Sequence, residues 1–314
     1  MDTKSVYLIT FGILVITAGI GAYYYSNGMI DVDKFNKKNL LSEGTDNPTL
    51  WLYYNQSDVN SRWWQDFGAR SSRVLHTPFL NLCYESIAKH CGKTYNTRVI
   101  AGLTDLASLL GGWEQLPKSL QNPLASVQQA EMNWIRAKLL KTYGGLWVSP
   151  TSIFVKDIPD FSKSKNVIFT GMDTKDMLSD SEGTLAPGTQ VMFSPKKDHP
   201  IFIELEKVSR ERLERREGGS QFRHDISNDL RDVMRDYAGQ YEYMPEIEYS
   251  RKPNGRRIEL EDLLSKGQMP ISSSAVYVPV YWYELKRRSN FAWFLRLSEE
   301  QILSSDLVIS KLFL

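Results

Sequence analysis

The hydrophobic pattern of this chain changes character once. Residues 6–25 (VYLITFGILVITAGIGAYYY) form an unbroken run of twenty uncharged, mostly apolar positions. A helix rises about 1.5 Å per residue, so such a run matches a hydrocarbon core of about 30 Å. A helix also bonds its own amides inside lipid, despite Gly12, Gly19 and Gly21. Tyr7 at one end and Tyr23, Tyr24 and Tyr25 at the other suit the two membrane interfaces. The pattern predicts a transmembrane anchor within residues 1–28. A cleaved signal peptide is the alternative, with Ala22 before the cut, but the run is long for one. Residues 29–47 are polar, rich in Lys and Asn, and read as a stalk.

From there the pattern becomes periodic. Residues 49–54 (TLWLYY) predict a strand. Phe79, Leu82, Cys83, Ile87 and Cys91 recur at helical spacing over 78–90, and Gly92 stops the helix. A strand at 97–100 and a helix opening near Thr104 or Asp105 follow. The clearest helix is 126–143, with Val127, Ala130, Trp134, Ala137 and Leu140 along one face and Gly144 as its left-handed cap. Strands are predicted at 146–148, 153–155, 167–170 and 191–194, and helices at 200–216 and 225–237. Residues 276–282 read as strand or extended chain. Ser298 and Gln301 form a capping box before an apolar end at 307–314. Strands alternating with helices predict an α/β fold, a sheet layered between helices. No linker rich in Pro, Gly or Ser divides it, so 48–314 is read as one domain.

Composition narrows the classes. The net charge is +1, with 24% charged and 12% aromatic residues. That balance, without a recognised module, argues against nucleic acid as a partner. The basic stretch 251–257 (RKPNGRR) reads as a solvated loop around Pro253, Asn254 and Gly255. Lys34, Lys37 and Lys38 after the anchor outnumber Lys4 and the amino group before it, which orients the domain towards the cytosol. Cys83 and Cys91, on one helix, would hold their Cα atoms about 12 Å apart, too far to bridge. A lone Asn55-Gln56-Ser57 acceptor pattern is expected by chance.

The simple catalytic signatures are missing. His76, His90, His199 and His224 are scattered, with no second metal ligand at a useful spacing. There is no Gly-rich phosphate loop and no nucleophile elbow. His90, beside Cys91, reads as a helix-end residue.

One segment carries a resemblance. Residues 133–158 (NWIRAKLLKTYGGLWVSPTSIFVKDI) place an Arg on a helix, then Tyr-Gly-Gly, an apolar strand and a short polar triplet. This resembles the donor-site signature of the capsular-polysaccharide-synthesis and DXD-type sugar transferases, which reads S-D-x-x-R, a short spacer, then Y-G-G-[IV]-[YW]-[LI]-D-x-[DT]. Arg136, Tyr143, Gly144, Gly145 and Trp147 match, and Leu146 and Val148 keep aliphatic side chains at the two remaining positions. Residues 190–202 (QVMFSPKKDHPIF) resemble the strand and proline-opened helix that follow in that group. The resemblance covers about residues 50–217 and implies a single GT-A-like, Rossmann-like α/β domain with a mixed sheet between helices. Residues 53–92, the SPTSIF variant of the triplet and the C-terminal 291–314 also resemble membrane-anchored proteins of large DNA viruses, which share a Pro/Ser triplet in place of the DXD.

In such a site two carboxylates hold Mn²⁺ or Mg²⁺ against the diphosphate of a nucleotide-sugar. The departures fall on that machinery. Asn133 stands for the helix aspartate and Ser149 for the first acid of the triplet; Pro150 follows, and Thr151 is last. An earlier acidic spot falls on Ala101-Gly102, with Asp105 nearest. The resemblance therefore implies Asn133, Arg136, Tyr143, Ser149, Thr151 and Asp105 as donor-binding candidates, with no assigned catalytic residue. Asp105, Asp157 and Asp173 are the acids to test as a base. Two functions follow from these readings. One is a membrane-anchored transferase acting on a glycan or protein acceptor, metal-independent or using Mn²⁺ or Mg²⁺ with its donor. The other is a non-catalytic domain of the same ancestry that binds a virion or membrane protein.

Overall fold

The computed structural model describes residues 47–55, 58, 77–172, 187–216 and 226–314. The expected anchor, nearly all of the stalk, and Asp173 lie outside them. No helix among the described residues is long and apolar enough to cross a membrane.

The first strand, Thr49–Tyr54 (β1), is buried on both faces, as a central strand must be. Leu50, Leu52 and Tyr54 enter one core, whereas Trp51 and Tyr53 enter the other. The helix Pro78–Cys91 (α1) opens on its proline and buries Phe79, Leu82, Cys83, Ile87 and Cys91, the predicted stripe. Both cysteines are free, and burial pushes both thiols well up. Asn96–Ala101 (β2) leads directly into Gly102–Leu110 (α2). That helix begins two residues earlier than Thr104, the first predicted start, and Asp105 accepts the Ala101 N–H at 3.1 Å, closing its first turn from within.

The next helix, Gln129–Tyr143 (α3), starts three residues later than 126, because Glu131 reaches back to the Gln128 N–H at 3.0 Å and closes the first turn there. It packs on Pro200–Arg216 (α4) through Glu206, which accepts from Trp134 Nε1 at 2.8 Å, Lys141 Nζ at 3.0 Å and Arg210 Nε at 3.1 Å. Burial by itself would raise the Glu206 carboxyl; those donors together hold it below its ordinary range.

The remaining strands are Gly145–Val148 (β3), Ser152–Phe154 (β4), Val167–Met172 (β5), Pro187–Ser194 (β6), Tyr241–Met244 (β7) and Tyr277–Pro279 (β8). Ile226–Asp236 (α5) precedes β7, and Leu260–Leu263 (α6) precedes β8. Trp282–Arg287 (α7), Glu299–Leu303 (α8) and Val308–Lys311 (α9) follow. The capping box of Ser298 and Gln301 opens α8 as expected, with bonds of 2.9 and 3.1 Å. The expected extended run at 276–282 keeps only three residues as strand, since Trp282 already begins α7. The strand β7 was not legible: its YEYM residues are all half-buried and show no apolar alternation.

Six strands make one sheet in the order β2-β1-β3-β6-β5-β7. β2, β1 and β3 are mutually parallel, β6 runs antiparallel to both β3 and β5, and β7 is parallel to β5. α2, α3, α4 and α5 cover one face; α1, the β4–β8 pair and the C-terminal segment cover the other. The fold is mixed α/β, with a six-stranded mixed sheet between two layers.

Candidate functional site

From β1 the chain moves outward to β2 and then returns past β1 to place β3 on its other side. The strand order therefore reverses between β1 and β3. In open α/β sheets the crevice beyond the carboxyl ends of such strands is where ligands bind, because the connections leave there in opposite directions. The residues at that opening are Tyr54 at the end of β1, Asn55 and Asp58 after it, and Ser149, Pro150 and Thr151 after β3.

The turn after β3 is fixed by backbone bonds. The Ser149 N–H donates to Gln190 O at 2.7 Å, and the Ser152 N–H to Ser149 O at 3.0 Å. Thr151 is 2% exposed, and its hydroxyl donates to Val280 O at 2.7 Å. The Val280 N–H returns to Thr151 O at 3.2 Å, tying the triplet to the second sheet. Ser149 Oγ lies 3.4 Å from Thr151 Oγ1. Two hydroxyls, one already committed to a carbonyl, do not form a Mn²⁺ or Mg²⁺ site, since neither supplies the negative charge a hard cation needs. Among the described residues no group of three or more His, Cys, Asp or Glu could hold a metal.

Polar atoms at this opening remain open. Tyr53 Oη, Asn55 Oδ1 and Trp147 Nε1 are buried and have no hydrogen-bond partner among the described residues. Tyr53 and Trp147 share the α3-side core, and Asn55, two residues beyond Tyr53, continues that face. Unpartnered buried polar groups are rare enough to call for a physical reason, and a bound ligand is one.

The candidate residues do not all gather here. Arg136 is 4% exposed and reaches the crevice edge, where Nη1 donates to Thr189 O at 2.9 Å and the guanidinium lies 5.7 Å from the Trp147 ring centre. Asn133 is buried one helical turn earlier and accepts from Gln129 at 3.3 Å. Asp105 sits in the first turn of α2, just past the end of β2. Tyr143 lies at the other edge of the sheet, before β3 begins. Its hydroxyl donates to Leu109 O at 2.6 Å, and its ring sits 5.2 Å from that of Trp51. Four residues of β3 put about 13 Å between it and Ser149. Asp157 is also remote, exposed and held by His90 at 2.8 Å and Lys93 at 2.9 Å at the end of α1, which makes His90 a helix-end residue as expected.

Tyr-Gly-Gly has a structural explanation at that far edge. Gly145 has φ +90°, and a Cβ there would fall 2.3 Å from Thr49 O. Gly144 has φ 69° and ψ −159°, which is not the left-handed helical cap expected, and its carbonyl accepts from Trp51 Nε1 at 2.8 Å. These glycines let β3 enter beside β1.

Two further acids were not legible as site residues. Asp58 is 7% exposed and pairs with Lys286 at 2.9 Å, joining the end of β1 to α7. Glu248 lies beside the end of β5, against Gly171. Its only signal is the alternation of Ile247 and Tyr249, which marks extended chain rather than chemistry.

No family model matches this chain, and no curated protein matches it. Among solved structures it is similar to the PaToxG glycosyltransferase, at 12% identity over 61% of this chain and 70% of that one, with a TM-score of 0.38. A second, described as a mutant transferase, matches at 12% identity over 60% of this chain and 84% of that one, with a TM-score of 0.31. Both are transferases. At these scores the likeness carries no argument about chemistry, which rests on the crevice itself.

Proposed function

We propose that this chain is a membrane-anchored, glycosyltransferase-like protein of GT-A type whose β1/β3 crevice takes a nucleotide-sugar without a metal held by the Ser149–Thr151 turn. The observation that carries the reading is the coincidence of two independent features. The strand order reverses where the transferase-like signature ends, and there Tyr53, Asn55 and Trp147 keep unpartnered buried polar atoms. The domain is read as facing the cytosol from its anchor, with a glycan or protein acceptor.

One observation favours the second reading, a non-catalytic domain that binds a virion or membrane protein. The donor turn offers no carboxylate, and Thr151 already spends its hydroxyl on Val280. The two readings separate on ligand binding. A ligand that binds only the folded state raises stability by RT ln(1 + [L]/Kd), about 2.7 kcal/mol at a hundredfold excess over Kd. The full chain in detergent is melted against a panel of nucleotide-sugars, with Mn²⁺ or with EDTA. A rise with one donor that survives EDTA is the expected result. No rise with any donor leaves only the interaction role.

A further inference from the structure

We propose that Glu248 is the carboxylate that accepts the acceptor's proton at this crevice, an inference that rests on the transferase reading above. Its position is set by backbone. After β7 a short 3-10 turn, Pro245–Ile247, brings the chain back, and the Glu248 N–H donates to Pro245 O at 3.2 Å. Glu248 then bridges to Tyr277 of the second sheet. The carboxylate is thereby wedged between the two sheets at the carboxyl end of β5.

The opposing strand makes room for it. Gly171 has φ +74°, and a Cβ there would fall 1.8 Å from Glu248 Oε2 and 2.3 Å from its Cδ. Any side chain at 171 would displace the carboxylate. The β5–β6 register also shifts between Thr170 and Met172. Bulges of this kind commonly stand beside active sites, where they re-aim a side chain. Beside it, Tyr277 Oη lies 2.8 Å from Thr170 Oγ1, whose hydroxyl contacts Val191 O at 3.0 Å. Burial first, then the charge of Glu248, pushes the Tyr277 hydroxyl far up, so that it stays protonated next to the carboxylate.

The location suits the reaction. Val148, Val191 and Thr170 lie in one row across β3, β6 and β5. Ser149 and Gly171, each one residue further, are two strand spacings apart, about 10 Å. A diphosphate at the Ser149 turn would extend its sugar along that row towards Glu248.

The step balances without a further reactant. Glu248 takes the proton of an acceptor hydroxyl, whose oxygen forms a bond to the anomeric carbon. The bond from that carbon to the diphosphate oxygen breaks, and its electron pair leaves with the nucleoside diphosphate. The protonated carboxyl then returns its proton to water.

The test uses the full chain in detergent, with donor-induced stabilisation and nucleoside diphosphate release measured side by side. Glu248→Gln keeps the shape and removes the base. The expected result is unchanged donor stabilisation with release lowered by about 100-fold or more, and partial recovery in Glu248→Asp. Release by Glu248→Gln within about threefold of the wild type overturns the assignment and leaves the transferase reading standing, since a general base contributes about 100-fold at least. A wild-type chain that neither binds nor turns over any donor removes both. If Glu248→Gln does not fold, the wild-type pH profile decides. Its rate must fall about tenfold per pH unit on the acid side of a single group, and a flat acid side overturns the proposal.

Discussion

The two ends of β3 carry the two halves of the same sequence signature, and they do different work. At its start, Tyr143, Gly144 and Gly145 are locked to Leu109, Trp51 and the first residues of β1. At its end, Ser149–Thr151 turns into a crevice flanked by buried polar atoms without partners. The first half is needed to put a strand beside β1 whether or not anything binds. Tyr-Gly-Gly is thus evidence for an architecture, and only the turn after the strand bears on chemistry.

Mutations at the two ends should behave accordingly. The largest effect is expected at the start of β3. Gly145→Ala combines a forbidden φ with a clash against a main-chain oxygen, and should cost about 4 kcal/mol or more. Denaturant melts check this, and a cost below about 1 kcal/mol, the ordinary effect of a point mutation, would mean that β3 enters the sheet differently. Arg136→Met is next. It leaves Thr189 O without its charged donor, so about 2 kcal/mol should be lost in the same melts. A neutral result would free Arg136 for a ligand role and move it from the framework to the site.

Smaller effects should sharpen the contrast. Thr151→Val deletes the bond to Val280 O and should cost about 1–2 kcal/mol. Because it loosens the turn at the crevice, it should also weaken any donor-induced rise in melting temperature. Tyr143→Phe removes one half-exposed hydrogen bond to Leu109 and should cost about 1 kcal/mol or less. Its donor response should be unchanged, since Tyr143 stands at the opposite edge. A donor response lost in Tyr143→Phe but kept in Thr151→Val would reverse the roles assigned to the two ends.

Much of the scaffold was legible because it is periodic. The alternation of Leu50, Trp51, Leu52 and Tyr53 marks a strand between two cores, and α1 buries the stripe its sequence spells. Helix α4 runs over the predicted residues for the same reason. Boundaries drifted where a side chain intervened: Glu131 closes α3 later than the apolar pattern begins, and Asp105 accompanies an earlier start of α2. The strand β7 carries no such signal, because an edge strand with half-buried residues has no alternation to show. The site was legible only in part. Ser149, Thr151 and Arg136 do meet the crevice, but Tyr143 belongs to the far edge, and Asp58 and Glu248 carried no local signal.

The sequence by itself determined most of the strongly periodic helices and strands, that they build an α/β fold, and that the turn after β3, Ser149–Thr151, carries no carboxylate. These are local properties, set by periodicity and by the identity of a few adjacent residues. Only the tertiary structure decided which side chains share the crevice. Glu248 and Gly171 are 77 positions apart in the chain, and nothing local to either records the other. Their meeting depends on the strand order and on a bulge in β5, and those are fixed by packing between distant segments.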